Sequence, residues 1–462
     1  FFLGGRQIGP WFSAFAYGTT YFSAVIFIGF AGKLGWGFGL DVLWITLGNT
    51  LGGATLAWLI LGRRTRIMSQ NLTAMTMPEF LQERYAAKHL KMVAAVIIFV
   101  FLLPYAASVF KGLGHLFEAN FHISYNYALL IMIFFTGVYL VLGGYFAIAM
   151  TDFVQGMVML VGSLLMIGIL VGKAGGLEAT ISTISANYPQ HIPAAKQPSM
   201  LMIFSLVFMT SFGTWGLPQM VQKFYAIKNE KMIVKAAIVT TIFALIITFA
   251  AYFTGAMQHV FMTQPVMVEK MVDGVAKQVP DFDRNIPALL TQYLPEWLMA
   301  IILLLVLSAS MSTLSSLVLV SASAIAIDLY KGHIKPEVSQ KESVALMRFL
   351  SAVFIAFSYV IASYQFDIIV TLMSLSWGVV AGSFMAPYLY ALYWKRTTKL
   401  GAAAGMATGL VTAIGLFYWL GPDKAPLASC IAMVLPFAVV PLVSFVTAPP
   451  PAETIRRAFD QI

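Results

Sequence analysis

Apolar runs long enough to cross a bilayer recur along this chain, each closed off by a charged or turn-rich segment. A membrane helix needs about 20 mostly apolar residues. Twelve stretches qualify, at roughly 10–32, 39–62, 92–117, 124–142, 145–172, 199–222, 232–258, 297–326, 344–364, 368–394, 400–420 and 426–448. Strand-type alternation is absent, so the pattern predicts an all-α polytopic membrane protein and not a β-barrel. Pro78-Glu79-Phe80 opens a short amphipathic helix between the second and third spans. The polar 259–295 segment carries Pro265, Pro280 and Pro287 and has no run long enough to cross.

The segments between spans must alternate sides. One side collects Arg6, the Arg63–Lys91 cluster, Lys223, Lys228, Lys231, Lys235, Lys331, Lys335, Lys341, Arg348, Lys395, Arg396, Lys399, Arg456 and Arg457. The other receives only Lys33, Lys173, Lys196, Lys270, Lys277, Arg284 and Lys424. Lysine and arginine favour the cytoplasmic side, so both ends of the chain are expected inside. The first span then runs outward and the sixth inward. If spans one to five and six to ten are repeats, they are inverted, an arrangement common in ion-coupled transporters. Repeat one would cover about 8–173 and repeat two about 198–394. Together they make a core of residues 1–394, and 395–462 adds two helices and a cytoplasmic tail.

Two spans in matching places carry glycine interruptions: Tyr17-Gly18-Thr19-Thr20-Tyr21 in the first and Ser211 to Pro218 in the sixth. Unwound backbone at membrane depth frees carbonyls for a cation and amides for an anionic solute. It is tolerated only where it faces protein or a wet cavity. Glycine and proline are also frequent in ordinary membrane helices.

Composition agrees with the pattern, with 60% hydrophobic and 10% charged residues. The net charge of +9 sits in the loops and does not imply nucleic-acid binding. The lone Cys430 excludes an internal disulfide. No Walker motif appears, so ATP drive is not expected. The six histidines lack metal-ligand spacing.

Candidate chemistry concentrates in span eight. Ser308, Ser312, Ser315 and Ser316 share one helical side, with Ser310 and Thr313 beside them. Neutral hydroxyls and carbonyls suit a small hard cation such as Na⁺. The same hydroxyls also serve helix packing or bond carbonyls four residues back. Asp152 is ionisable within or near the edge of span five. It reads either as an ion ligand or as an interfacial helix cap. Lys111 lies about ten Å from the outer end of span three. It either snorkels outward or faces the central cavity, there pairing with a solute carboxylate or an acidic side chain.

Several motifs carry a resemblance over nearly the whole chain. They are Phe2-Leu3-Gly4-Gly5-Arg6 with Gly9-Pro10; Gly143-Gly144-Tyr145 with Thr151-Asp152-Phe153-Val154-Gln155-Gly156; Met311-Ser312-Thr313-Leu314-Ser315; and Pro387 to Arg396 leading into Gly401-Ala402 and Gly405. On these the chain resembles the sodium–solute symporter family, nearest its bacterial proline and pantothenate transporters. The family's extra N-terminal helix would precede Phe1. The resemblance implies a five-plus-five inverted-repeat core with alternating access. It also implies a main sodium site from the carbonyls of Thr19, Phe22 and Ala309 and the hydroxyls of Ser312 and Thr313. A second sodium would sit at Asp152, Ser315 and Ser316.

By the same resemblance the solute would meet Tyr21, Ser23, Tyr105, Thr210, Thr214 and Pro218, with Trp215 beside them; the family offers no precedent for Lys111, whose position alone suggests a selector of anionic solutes. Proline-transporting members carry an aspartate where this chain has Tyr21, and an aromatic pair where it has Thr210 and Thr214. The expected function is therefore sodium-coupled symport of a small polar solute, of pantothenate, monocarboxylate or amino-acid type, in a cell membrane. Sodium, solute and lipid are the expected partners, with no nucleic acid and no enzyme activity. Alternatives on this fold are a sugar or sialic-acid type symporter, a solute-sensing receptor domain with a long signalling region appended, and a channel.

Overall fold

The computed structural model describes residues 3–142, 145–272 and 275–460. Phe2, Gly143 and Gly144, which belong to the motifs above, lie outside the described residues. Among the described residues the main helices fall, in chain order, into twelve groups, called passes below. Pass 1 is Pro10–Tyr21 followed, after a break, by Val25–Phe30 and Ala31–Phe38. Pass 2 runs through Leu43–Gly48, Asn49–Gly62 and Arg63–Asn71. Passes 3 to 5 are Lys88–Phe121, Tyr125–Leu142 and Tyr145–Lys173. Pass 6 is Met200–Phe212 and Pro218–Ala226, and pass 7 is Ile233–Ala256. Pass 8 is Glu296–Ser323 continuing into Ala324–Ile334; passes 9, 10 and 11 are Gln340–Tyr364, Ile369–Tyr393 and Lys399–Leu420. Pass 12 is Ala425–Val434 and Pro436–Val446.

Among the described residues, nine helices, or ten with the bent pair of pass 6, are individually long and apolar enough to span a bilayer. The count is lower than twelve in part because the second half of pass 1 joins pass 2 through the turn Gly39–Val42, so that Val25–Asn71 makes one helical stretch.

The elements between passes follow their sequence signals. Thr76 caps Met77–Tyr85 by accepting from the Glu79 amide at 3.1 Å, and Pro78 sits in the first turn, where a missing N–H costs nothing. Between passes 7 and 8, Met267–Val272 pairs antiparallel with Val275–Pro280. This hairpin was not expected from a segment read only as polar loop. It lies on the lysine-poor face with helices Leu177–His191 and Asn285–Tyr293.

Passes 1, 6, 8 and 10 supply the buried centre. Every residue of Pro218–Ala226 is buried. Passes 4, 5, 9, 11 and 12 turn large apolar side chains outward, among them Phe134, Val154, Phe357, Val411 and Phe445. That division fits a solvent of lipid around a polar-lined middle.

Candidate functional site

The break in pass 1 is where the site begins. Phe22 is extended, with φ −113° and ψ 119°. Three amides that would continue the helix are diverted: Ala24 N–H to Ser310 Oγ (3.1 Å), Val25 N–H to Ser23 Oγ (3.2 Å) and Ile26 N–H to the Ser23 carbonyl (3.2 Å). In an unbroken helix they would bond the carbonyls of Thr20, Tyr21 and Phe22, so those oxygens are released. The interruption expected at residues 17–21 thus lies just beyond them. Gly18 remains helical because it answers a packing demand. A Cβ there would collide with the Phe243 ring of pass 7.

Pass 8 faces this break with its hydroxyls. Thr313 Oγ1 lies 3.1 Å from the Thr19 carbonyl, 3.1 Å from that of Thr20 and 3.2 Å from that of Ala309. Ser312 Oγ is 2.8 Å from Thr19 Oγ1. Four of the five expected sodium ligands, Thr19, Ala309, Ser312 and Thr313, are therefore brought together. Phe22 stands at the break with its carbonyl released. Thr20 joins them, a residue sequence reasoning passed over. The two readings of the hydroxyl stretch divide by residue. Ser315 bonds the Met311 carbonyl one turn back at 2.6 Å, the packing role, whereas Ser310, Ser312, Thr313 and Ser316 reach pass 1.

Behind this cage Asp152 is fully buried, within the first third of pass 5, so it is not an interfacial cap. Lys223, equally buried on the second half of pass 6, places its ammonium 3.9 Å from Asp152 Oδ2 and 3.0 Å from Ser316 Oγ. Ser316 Oγ is also 3.0 Å from Thr20 Oγ1. Of the expected second-sodium cluster, Ser315 bonds its own helix, and the Lys223 ammonium lies near both Asp152 and Ser316. The apolar pattern ends span six at residue 222 and so places Lys223 in a loop. The signal that could have found it was the helix start at Pro218, which carries pass 6 on to Ala226.

Two of the expected solute residues, Tyr21 and Tyr105, meet at Trp377 of pass 10, which the sequence does not single out. The rings of Tyr21 and Trp377 lie 6.4 Å apart, stacked, and Tyr105 meets Trp377 edge-on at 5.8 Å. Phe22 stacks on Tyr21 at 4.1 Å. The Tyr21 hydroxyl donates to the Thr210 carbonyl. Thr210 and Thr214 turn their hydroxyls back to the carbonyls of Leu206 and Ser211, so neither projects a free one. Trp215 Nε1 donates to the Gly52 carbonyl at 3.0 Å, and Pro218 begins the second half of pass 6.

Lys111 is buried but neither snorkels nor stands ready for a solute. Its Nζ donates to Asp283 Oδ2 at 2.7 Å and to the Asp367 carbonyl at 2.8 Å. Its charge is already neutralised by an acid from the segment between passes 7 and 8. Of the readings open to Lys111, the geometry shows the pairing with an acidic side chain.

The two faces differ. On the lysine-poor face a cavity of about 670 Å³ is lined by Lys33, Trp36, His191, Lys196, Phe282 and Val370, among others. On the basic face the N-terminal segment closes the centre. Arg6 donates to Ser69 Oγ (2.9 Å) and to the carbonyls of Ala74 (2.7 Å), Tyr225 (3.2 Å) and Ser69 (3.3 Å). Ile8 also pairs with Ile227 beyond the end of pass 6. Burial, with the Arg66 guanidinium nearby, lowers the Arg6 pKa from the ordinary arginine value.

Residues 1–409 match the sequence profile of the sodium:solute symporter family. A sodium/proline symporter of Staphylococcus aureus is 31% identical over 429 residues, spanning 91% of this chain and 81% of the relative. The fold superposes on that of a Na⁺-coupled sialic acid symporter solved in a substrate-bound outward-open state. The TM-score is 0.77 at 16% identity, covering 97% of this chain and 92% of that one. A nucleobase-cation-symport-1 family transporter, closed around bromovinylhydantoin, gives a TM-score of 0.58 at 14% identity, with 99% and 97% covered.

Proposed function

The chain belongs to the sodium:solute symporter family, and from that premise we propose that it imports a small carboxylate-bearing solute together with Na⁺ across the plasma membrane by alternating access. Its relatives are transporters, and it is a multi-pass membrane transporter and not an enzyme. The observation that carries the proposal is the convergence of the Ser312 and Thr313 hydroxyls on the Thr19, Thr20 and Ala309 oxygens beside the break in pass 1. That is a neutral oxygen cage, and a monovalent cation suits it. The Phe22 carbonyl, released nearby, completes the proposed main site.

The solute is proposed to sit against Tyr21, Phe22, Tyr105 and Trp377, next to the cage. A cation there ties pass 1 to pass 8 and so holds Tyr21 and Phe22 in the solute wall. The matching breaks in passes 1 and 6 support inverted repeats at about 8–173 and 198–394, followed by two further passes. The basic face is proposed as cytoplasmic. The opposite cavity is then the outer vestibule, lined by Lys33, Lys196 and Asp423, the last 3.8 Å from the Lys33 ammonium. Pantothenate, monocarboxylates and amino acids are the solute classes proposed. Proline heads them because the 31% identical relatives are named for it.

A thermal-shift screen of the purified protein tests this. One of these solutes, in Na⁺ but not in K⁺ or choline, is expected to raise the melting temperature. Saturation at 100 times Kd corresponds to about 2.7 kcal/mol. Equal shifts in all three salts would count against coupling.

Trp377 gives a second test. Its indole N–H is buried and meets no acceptor among the described residues. An unpaired buried donor costs roughly 1–3 kcal/mol, which a solute oxygen would recover. Trp377→Phe is expected to raise the solute KM about tenfold, equivalent to about 1.4 kcal/mol, with sodium binding unchanged. An unaltered KM would remove Trp377 from the solute site.

A further inference from the structure

We propose that Lys223 supplies, as a tethered ammonium, the charge that a second sodium ion would otherwise bring between passes 5, 6 and 8. The protein would then bind one sodium ion per chain. The inference rests on the main-site reading above and deepens it by fixing how many ions that machinery takes.

Three observations support it. Asp152 is fully buried, and an ionised carboxylate at membrane depth needs a cation beside it. The counter-charge facing it is the Lys223 ammonium, 3.9 Å from Oδ2. The same ammonium is 3.0 Å from Ser316 Oγ, whose own neighbour is Thr20 Oγ1 at 3.0 Å. An ammonium is a compact cation with three donors and a liking for the oxygen ligands that sodium takes. A sodium ion bound to Asp152 and Ser316 would have to sit against Lys223. Two like charges a few ångströms apart in a buried site repel strongly, so ammonium and sodium exclude one another there.

The placement also has a mechanical side. Lys223 sits on the half of pass 6 that follows the 43° bend, whereas Asp152 belongs to pass 5 and Ser316 to pass 8. A free ion in this place would make its bridge only when bound. A lysine makes it permanently, so this joint does not wait for sodium. The Thr20–Ser316 contact then links the joint to the break in pass 1, and only the main cage responds to the ion.

Equilibrium binding of ²²Na⁺ to the purified full chain, with choline as the replacement cation, tests this directly. Wild-type protein and Lys223→Arg are each expected to bind one ion, and Asp152→Asn also one, since that carboxylate serves the ammonium. Lys223→Met is expected to bind two, and adding Asp152→Asn to it should return the count to one. Two ions on the wild type, falling to one in Asp152→Asn, would overturn the proposal, and neither measurement depends on the lysine variants folding. A count that stays at one in well-folded Lys223→Met would also overturn it. Failure of the main-site reading looks different. Ser312→Ala with Thr313→Ala would then keep the single ion, and losing it instead assigns that ion to the cage.

Discussion

Alanine at both Ser312 and Thr313 is expected to abolish sodium-dependent uptake while the protein stays folded. Thr313 Oγ1 touches three carbonyls and Ser312 Oγ touches Thr19 Oγ1, so the pair supplies the side-chain oxygens of the cage. A hydrogen bond to a charged group is worth roughly 1.5–3 kcal/mol, and we take a cation–hydroxyl contact to be similar. Losing two would weaken sodium binding by on the order of 100-fold or more. The cost to folding is smaller, because each neutral hydroxyl contributes about 1 kcal/mol net. Uptake in proteoliposomes with an inward sodium gradient, alongside melting curves in choline, separates the two effects. Undiminished uptake by the double variant would refute the assigned site. Ser312→Thr, which keeps the hydroxyl, should retain uptake.

Coupling follows from the same geometry by linkage. If sodium at the break raises affinity for solute, solute raises affinity for sodium by the same factor, typically 1–3 kcal/mol. The residues that make this concrete are neighbours in sequence. Thr19 and Thr20 face pass 8, Tyr21 faces Trp377, and Phe22 stacks on Tyr21. Fixing the first pair fixes the second. An ion at the proposed cage would favour whichever state has passes 1 and 8 in register, and it would move the equilibrium only by its difference in affinity between states.

What the sequence made legible here was local. Apolar runs announced the passes, since hydrocarbon thickness sets their length. Gly213 to Pro218 announced the bend in pass 6, where the helix does stop and restart. The Ser312-Thr313 pair was visible as polar chemistry in an apolar run. Apart from the grouping of Thr19 with Ser312 and Thr313, which the family resemblance implied, much that depended on a partner distant in the chain was hidden. Gly18 looked like an unwinding signal, but its reason is Phe243, more than 200 residues on. Lys223 looked like a loop cation until passes 5 and 8 closed around it. Trp377 was one aromatic among many in pass 10, and only the rings of Tyr21 and Tyr105 distinguish it. Ser315 and Ser316 are adjacent and alike in sequence, yet helix rotation turns one to its own backbone and the other to Thr20.

Lys111 and Asp283 make the second large effect, this time on stability. The ammonium and carboxylate meet at 2.7 Å with both side chains almost wholly enclosed. Asp283 also accepts the Ile369 N–H at 3.1 Å, and Lys111 donates to the Asp367 carbonyl. The pair thus pins pass 3, the segment after the hairpin and the start of pass 10 to one another on the lysine-poor face. Removing one partner of a buried pair leaves the other charge uncompensated and costs about 3–5 kcal/mol. Replacing both costs far less, because the expensive desolvation of two ions is then avoided. Lys111→Met alone and Asp283→Asn alone are each expected to lower the melting temperature sharply. The double variant should recover most of the loss, since the side-chain carbonyl introduced by Asp283→Asn can still accept the Ile369 N–H. Independent, additive losses would mean the two charges do not act as a pair. Uptake by the double variant carries a separate reading. With the vestibule and Trp377 intact, its preference among carboxylates should be that of the wild type, because Lys111 contributes no free charge to the solute. A selective loss of anionic solutes would instead return Lys111 to the recognition site.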